Sequence, residues 1–388
     1  MKKKFSLLTA AVISGSLLLA GCGKQVASGD ANSSTAPKTE VAQTGPITIN
    51  PAIQDKQILG KGPNGEAPVS AKTLQLTEEE IAKIKQGNYK AAIVMHYTGN
   101  DYSTAQVNAL KATFERMGVD VIAVTDAQFK AEKQVSDIET VLAKKPDVII
   151  SVPVDPVSTA AAFKKAADAG VKIVFMDGVA KGLEPGKDYV SMVTGDNAGN
   201  GAAAAEIMGK ELGGKGKIGV IFHDADFFVT AQRTAAFEET IKTKFPNIEI
   251  VARGGITGPN DGEKVASAML TKHRDLDGIF AIWDVPAEGA LAAARTAGKN
   301  KLVITSTDLG TKVGMEIASG GIVKGVGAQL PYDQGVTEAM AAGYALLGKP
   351  VPTYIASPAV EVTKENVLDS WKLVYGQDAP DVIKKAAK

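Results

Sequence analysis

The sequence predicts an α/β fold of two doubly wound parallel-sheet lobes, and three observations carry that prediction. From Tyr89 onward, short apolar runs rich in β-branched residues alternate with Ala-, Lys- and Glu-rich segments of helical period. The apolar runs are continuous rather than alternating, the pattern of parallel strands covered by helices on both faces. The βα units are too many for one eight-fold barrel, and the break between two sheets falls near Thr194–Asp196, where one strand ends and a new helix begins at Gly199. No fixed-period internal repeat accompanies them.

In chain order, Lys90–His96 is an unbroken apolar strand after its first residue, and Ser103–Met117 is the helix that follows it. Val119–Val124 is a strand and Ala131–Ala143 a helix. Asp147–Ser151 is a strand, and Ser158–Ala169 a helix closed by Gly170, since glycine takes the left-handed turn at a helix end. Val171–Asp177 is a strand, and after an irregular patch Tyr189–Val193 is another. The helix Gly199–Leu212, the strand Lys217–Phe222 and the helix Thr230–Phe245 come next, followed by the strand Ile248–Ala252 and the helix Glu263–Lys272. Gly278–Trp283 is a strand, and Pro286 opens an Ala-rich helix to Ala297, proline being well placed in a first helical turn. Leu302–Thr307, Lys312–Ser319, Ile322–Ala328 and Tyr332–Leu347 complete the alternation as strand, helix, strand and helix.

The N-terminus has a different character. Lys2, Lys3 and Lys4 precede an apolar run from Phe5 to Leu19 that ends in Leu19-Ala20-Gly21-Cys22. The run is too short and too interrupted to remain as a membrane-spanning helix, so residues 1–21 read as a secretory signal. The ending resembles the bacterial lipobox, which implies cleavage before Cys22 and lipidation of that residue. Cys22 is also the single cysteine of the chain, so no internal disulfide can form. Residues 22–88 read as a lipid-anchored flexible tether and a short N-terminal helix. Gly23 to about Thr48 carries few large apolar groups, the following stretch is rich in Pro and Gly, and Thr77 with Glu80 has the spacing of a capping box.

Composition excludes several functions. The chain has 43 Lys and Arg against 43 Asp and Glu, and removal of residues 1–21 takes three lysines, leaving 40 against 43. That balance gives no footprint for nucleic acid. The three histidines lack metal-ligand spacing, and neither a G-x-S-x-G elbow nor a phosphate-binding P-loop is present. No cofactor and no metal is expected. The segment Gly195–Gly201 lacks dinucleotide spacing and reads as a hinge and helix cap.

In open parallel sheets, ligands bind beyond the carboxyl ends of the strands. There stand His96, Asn100, Asp101 and Tyr102; Asp155; Asp177; the segment His223–Phe228 leading to Arg233; Trp283 and Asp284; Asp308; and Gln329. Carboxylates accept from hydroxyls in charge-assisted hydrogen bonds, and an indole lies flat on the C–H face of a sugar. The set therefore suits a small, neutral, polyhydroxylated molecule. Plainer roles stay open. Asp284 can be a helix cap, Asp155 can shape a turn before Pro156, Trp283 can pack in a core, His96 can be a buried structural residue, and Phe227-Phe228 can be lid or core.

The stretch from about Lys90 to Pro358 resembles the type 1 periplasmic-binding-protein family, and within it the ribose-type sugar-binding components of bacterial ABC importers. The resemblance rests on “VIISVPVDPVSTAAAFKKAADAGVKIVFMD”, “TGDNAGNG”, “QRTAAFEETI”, “IWDVPAEGALAAARTAG”, “VITSTDLG” and “GAQLPYDQG”, which fall in the family's order. It implies two lobes joined by three hinge crossings, with ligand between them. Lobe one would be 89–194 with 330–357, and lobe two 195–329 with 358–388. It also implies ligand-binding roles for Asn100, Asp101 and Tyr102 in the first loop, for Asp177, for Arg233, and for Asp308 and Gln329. Three departures matter. The first loop reads “NDYS” rather than carrying two adjacent aromatics, Gly178 stands where ribose binders have Arg, and Trp283 stands where they have Asn. These point to a pentose, a sugar alcohol, a deoxy sugar or another small polyol as much as to ribose.

The expected function is that of an exported lipoprotein, held at the outer face of the cell membrane or in the periplasm. It would bind a small sugar or polyol as a monomer and deliver it to an ABC transporter permease, without chemistry and without nucleic acid. A sugar or autoinducer receptor for signalling shares the fold and pocket chemistry. An exported glycoside-processing enzyme would use paired strand-end carboxylates as acid and base.

Overall fold

The computed structural model describes residues 45–388; the signal segment, Cys22 and the start of the tether lie outside the described residues. The chain lays down β1 (Val69–Ser70), α1 (Glu78–Gln86), β2 (Lys90–Met95), α2 (Asp101–Arg116), β3 (Asp120–Asp126), α3 (Ala131–Leu142), β4 (Val148–Ser151), α4 (Ala160–Asp168), β5 (Lys172–Met176) and β6 (Ser191–Gly195). It then passes to a second sheet through α5 (Asn197–Glu211), β7 (Lys215–His223), α6 (Phe228–Lys244), β8 (Asn247–Ile256), α7 (Gly262–Lys272), β9 (Gly278–Ala281), α8 (Asp284–Thr296), β10 (Val303–Thr307), α9 (Thr311–Ala318) and β11 (Val323–Ala328). It returns for α10 (Pro331–Leu346) and β12 (Tyr354–Ser357), and crosses a last time to β13 (Val360–Thr363), α11 (Val367–Tyr375) and α12 (Asp381–Ala386).

The first sheet has the order β1-β12-β6-β5-β4-β2-β3 and is parallel throughout. The second has the order β13-β11-β10-β9-β7-β8, with only β13 antiparallel. Within both, five strands consecutive in the chain are wound identically: β3-β2-β4-β5-β6 in one and β8-β7-β9-β10-β11 in the other. Strand β5 of the first sheet is thus the counterpart of β10 in the second. The central strands β4, β9 and β10 are buried along their whole length, which is why none alternates between apolar and exposed polar residues.

Helix α5 sits close to its neighbours because two glycines allow it. A Cβ at Gly201 would collide with the carbonyl oxygen of Arg233 on α6, and a Cβ at Gly327 on β11 would collide with that of Asn200. Backbone therefore meets backbone at the point where the chain enters the second sheet.

The expected flexible tether over 22–88 does not extend through residues 45–88. Ile47, Ile49, Ile53, Leu74 and Leu76 are buried in the main core. Ile47 and Leu76 exchange backbone hydrogen bonds of 2.8 and 3.0 Å, β1 adds a strand to the edge of the first sheet beside β12, and the Thr77–Glu80 capping box opens α1. Further along the arm, Leu59 N–H and Gly60 N–H donate to the two carboxylate oxygens of Asp196 at 2.8 and 2.9 Å. Asp196 also accepts from Gly199 N–H, capping α5. Gln232 on α6 donates to the carbonyl of Lys61 at 2.7 Å. The arm therefore lies over the first crossing between the sheets. Its few apolar residues are spaced without a helical or strand period, so pattern alone could not reveal that they are buried.

Candidate ligand site

Two aspartates stand at counterpart positions. Asp177 follows β5 and Asp308 follows β10, and both have positive φ, 52° and 65°. This left-handed region is sparsely used by residues other than glycine, and Asp tolerates it better than most. Each backbone N–H reaches the adjoining strand, Asp177 to the carbonyl of Val193 and Asp308 to that of Gly327, both at 3.0 Å. Each side chain is then held by one residue from the helix after the first of the five like-wound strands and one from the end of the fifth. Tyr102 on α2 donates its hydroxyl to Asp177, and Thr194 donates to the other oxygen at 2.5 Å. Arg233 on α6 pairs with Asp308 at 2.9 and 3.3 Å, and Gln329 donates to it at 3.0 Å.

These contacts close into a ring. Arg233 Nε donates to Asn197 at 2.9 Å, Asn197 donates to Thr194 at 2.9 Å, and Thr194 and Tyr102 both meet Asp177. Gln106 donates to the Tyr102 oxygen at 2.9 Å and to Gln334 at 3.5 Å; Gln334 donates to Gln329 at 3.1 Å, and Gln329 returns to Asp308. The ring passes between the sheets twice, once at each of the first two chain crossings. Arg233 also donates to Thr307 Oγ1 at 2.8 Å, so its charge is held from several sides.

Burial governs the electrostatics. It pushes Asp177 up despite the opposing hydrogen bonds from Thr194 and Tyr102, and it pushes Tyr102 well up, an effect the neighbouring Asp177 charge adds to. Glu338, one turn after Gln334 on α10, is fully buried and pushed well above the usual carboxyl range by burial and by Asp177. It accepts from Gln106 at 3.3 Å. Asp284 is also buried; desolvation first, then Asp308 and Glu288, hold it well above the usual range.

Aromatic rings from both lobes meet beside this network. His96 and Phe227 stack at 6.1 Å between centroids and 24° between planes. Phe129 lies edge-on to His96 and stacked on Tyr97, each at 5.0 Å. His223 meets the edges of Phe227 at 5.8 Å and Trp283 at 5.3 Å. Trp283 is half-buried and occupies the N-cap position of α8 without a side-chain cap. Asp284 is therefore not that cap; its carboxylate accepts from the adjacent Val285 N–H, at 2.9 Å.

Of the residues singled out from sequence, Tyr102, Asp177, Arg233, Asp308 and Gln329 share the ring, and Trp283 joins the aromatic group. Asn100 and Asp101 serve helix ends. Asn100 caps α2 through Ser103 N–H at 3.0 Å, and Asp101 reaches over to α9, where it accepts from Thr311 N–H at 2.7 Å and Thr311 Oγ1 at 2.8 Å. Asp155 shapes the turn before α4, accepting from Val157 and Ser158. Sequence reasoning missed Gln106, Gln334 and Glu338. A signal existed: Gln334 and Glu338 lie four residues apart, on one face of a helix otherwise rich in Ala and Gly.

Comparison with known proteins agrees with this architecture. The periplasmic binding protein domain family matches residues 91–350. The ribose import binding protein of Salmonella typhimurium is 25% identical over 284 residues, 73% of this chain and 92% of the relative; that of Bacillus subtilis is 27% identical over 260 residues, 67% and 82%. Among solved structures, the ABC transporter periplasmic solute binding protein of Actinobacillus succinogenes with bound D-allose is 26% identical, covering 72% of this chain and 99% of its own, with a TM-score of 0.65. An ABC sugar transporter subunit from Rhodobacter sphaeroides is 28% identical at the same two coverages, with a TM-score of 0.63. With its two like-wound sheets and their facing strand-end aspartates, this chain belongs to the periplasmic binding protein domain family, as a type 1 member of the sugar-importer kind.

Proposed function

We propose that this chain captures a small sugar or polyol between its two lobes and delivers it to the permease of an ABC-type importer, doing no chemistry on it. The observation that supports this most is the pair of counterpart aspartates, each held by donors from its own lobe and set beside flat rings from both. Fixed acceptors grip hydroxyls, and rings cover C–H faces. Tyr102, Asp177, Arg233, Asp308 and Gln329 supply the polar contacts, Trp283 a stacking face, and Asp284 a further buried carboxyl beside it. Asn100 and Asp101 act through the helix ends they hold.

One relative is a ribose import binding protein and a solved relative holds D-allose, which sets the first panel. Calorimetric titration with D-ribose, D-allose, L-arabinose and a sugar alcohol tests the reading. Saturable binding of at least one is expected, and the sugar recovered after denaturation is expected unchanged. Failure of the whole panel to bind would remove the sugar class, and a cleaved or oxidised product would replace the receptor reading with an enzymatic one. The protein acts outside the cytoplasm, as its family does, and we assign it a lipid anchor at Cys22 and a monomeric state.

A further inference from the structure

Helix α9 lacks a cap of its own. Its N-cap position is Gly310, in an extended conformation with φ −78° and ψ 161°, and no side chain from this lobe accepts from the first turn. Ser, Thr, Asp or Asn normally fills that position and satisfies one of the four orphaned N–H groups of a first turn. Here glycine stands instead, and a Cβ at residue 310 would meet the Oδ2 of buried Asp284, which a capping residue would have to displace. The missing acceptor comes from the other lobe. Asp101, the first residue of α2, places one carboxylate oxygen 2.7 Å from Thr311 N and 2.8 Å from Thr311 Oγ1. Helix α2 lies on the first sheet, and α9 on the second, against β11, α8, α11 and α12. The bond exists only while the lobes are together.

We propose that Asp101 and Thr311 form a closure latch, in which lobe one supplies the N-cap that lobe two's α9 does not supply for itself. The proposal rests on the sugar-capture reading for its purpose. Capture by closure requires an arrangement that is favoured in the closed form and absent in the open one, and a cap provided from the opposite lobe meets that requirement without touching the ligand. Its negative charge also sits at the positive end of the α9 dipole. Asp284 enters as the side chain that crowds position 310 against a capping residue, which favours reliance on lobe one. Asp101 is thus a positioning residue for closure rather than a ligand contact.

The test uses two variants that break the same contact from opposite sides. Asp101→Ala removes the acceptor. Thr311→Pro removes both donors while suiting the first helical position, and Gly310 before it is already extended, as a residue preceding proline prefers. In the full chain, each variant is expected to weaken binding of the best sugar in the panel by a similar factor, roughly 2- to 25-fold, the range of a lost cap. The double variant is expected to be no weaker than either single one. Small-angle scattering without sugar is expected to show a larger radius of gyration in both variants. If Asp101→Ala weakens binding while Thr311→Pro leaves both binding and radius unchanged, Asp101 touches the ligand and the latch is wrong. Additive losses in the double variant would overturn it equally. Should no sugar bind, the capture reading falls, and the latch is judged on the scattering alone: an unchanged radius in both variants rejects it, and an increase in both supports it.

Discussion

At the scale of single residues, the Arg233–Asp308 pair separates two kinds of importance. Arg233 is 3% exposed and Asp308 12%. Truncating one partner of a buried ion pair leaves the other charge uncompensated, at a cost of about 3–5 kcal/mol. Asp308→Ala is therefore expected to lower the stability of the sugar-free protein by about that amount, read by denaturant unfolding, as well as to impair binding. An apo melting temperature equal to wild type would mean that the pair is not formed in solution. Asp333 offers a pH test. Burial raises its carboxyl from 3.8 to about 6, while the Asn50 N–H at 2.7 Å opposes the shift. A raised folded-state value means that this group's stabilising contribution is full below about 3.8 and is lost as pH rises through about 6. Asp333→Asn removes that dependence. Its stability relative to wild type is expected to rise by roughly 3 kcal/mol in all between about pH 3 and 7 and to stay level above; a difference that does not vary with pH would show an unshifted carboxyl. The strand-end aspartates were legible in the sequence because a charge that ends a buried apolar run has to face something polar. Gln106 was not, since a polar residue in a helix ordinarily means a solvated face.

At the scale of elements, alternation exposed the core strands and their helices, because a sheet buried on both faces leaves an unbroken apolar trace. The short strands β1, β12 and β13 have two to four residues each, too few to establish a period, and two of them flank Pro358. The N-terminal arm escaped for a related reason: its apolar residues are buried one at a time. Leu76 makes this testable. It is fully buried and lies, with Ile84, against α10 at Gly343. Leu76→Ala is expected to cost about 2–5 kcal/mol, as a buried leucine does, in equilibrium unfolding. A loose tether would tolerate the change with no measurable loss.

At the scale of the whole molecule, three chain crossings join the lobes, and the arm overlies the first through Asp196, which accepts from Leu59, Gly60 and Gly199 together. The anchor we assign lies before that arm. Cys22→Ala is expected to release the protein from the membrane fraction or leave it unprocessed, assayed by fractionation and lipid labelling; unaltered labelling and mobility would exclude lipidation at this residue.

The two sheets are wound alike, yet their counterpart aspartates have unlike partners: a neutral phenol holds Asp177 and a guanidinium holds Asp308. On the proposed reading, the site is a clamp with matching jaws and mismatched teeth. A ligand gripped by both aspartates would meet a carboxylate backed by a neutral phenol at one end and one backed by a guanidinium at the other, so its two end-for-end poses would differ in energy although the scaffold around them is nearly symmetric. Such a clamp would sort molecules by head and tail and present its cargo in a single orientation.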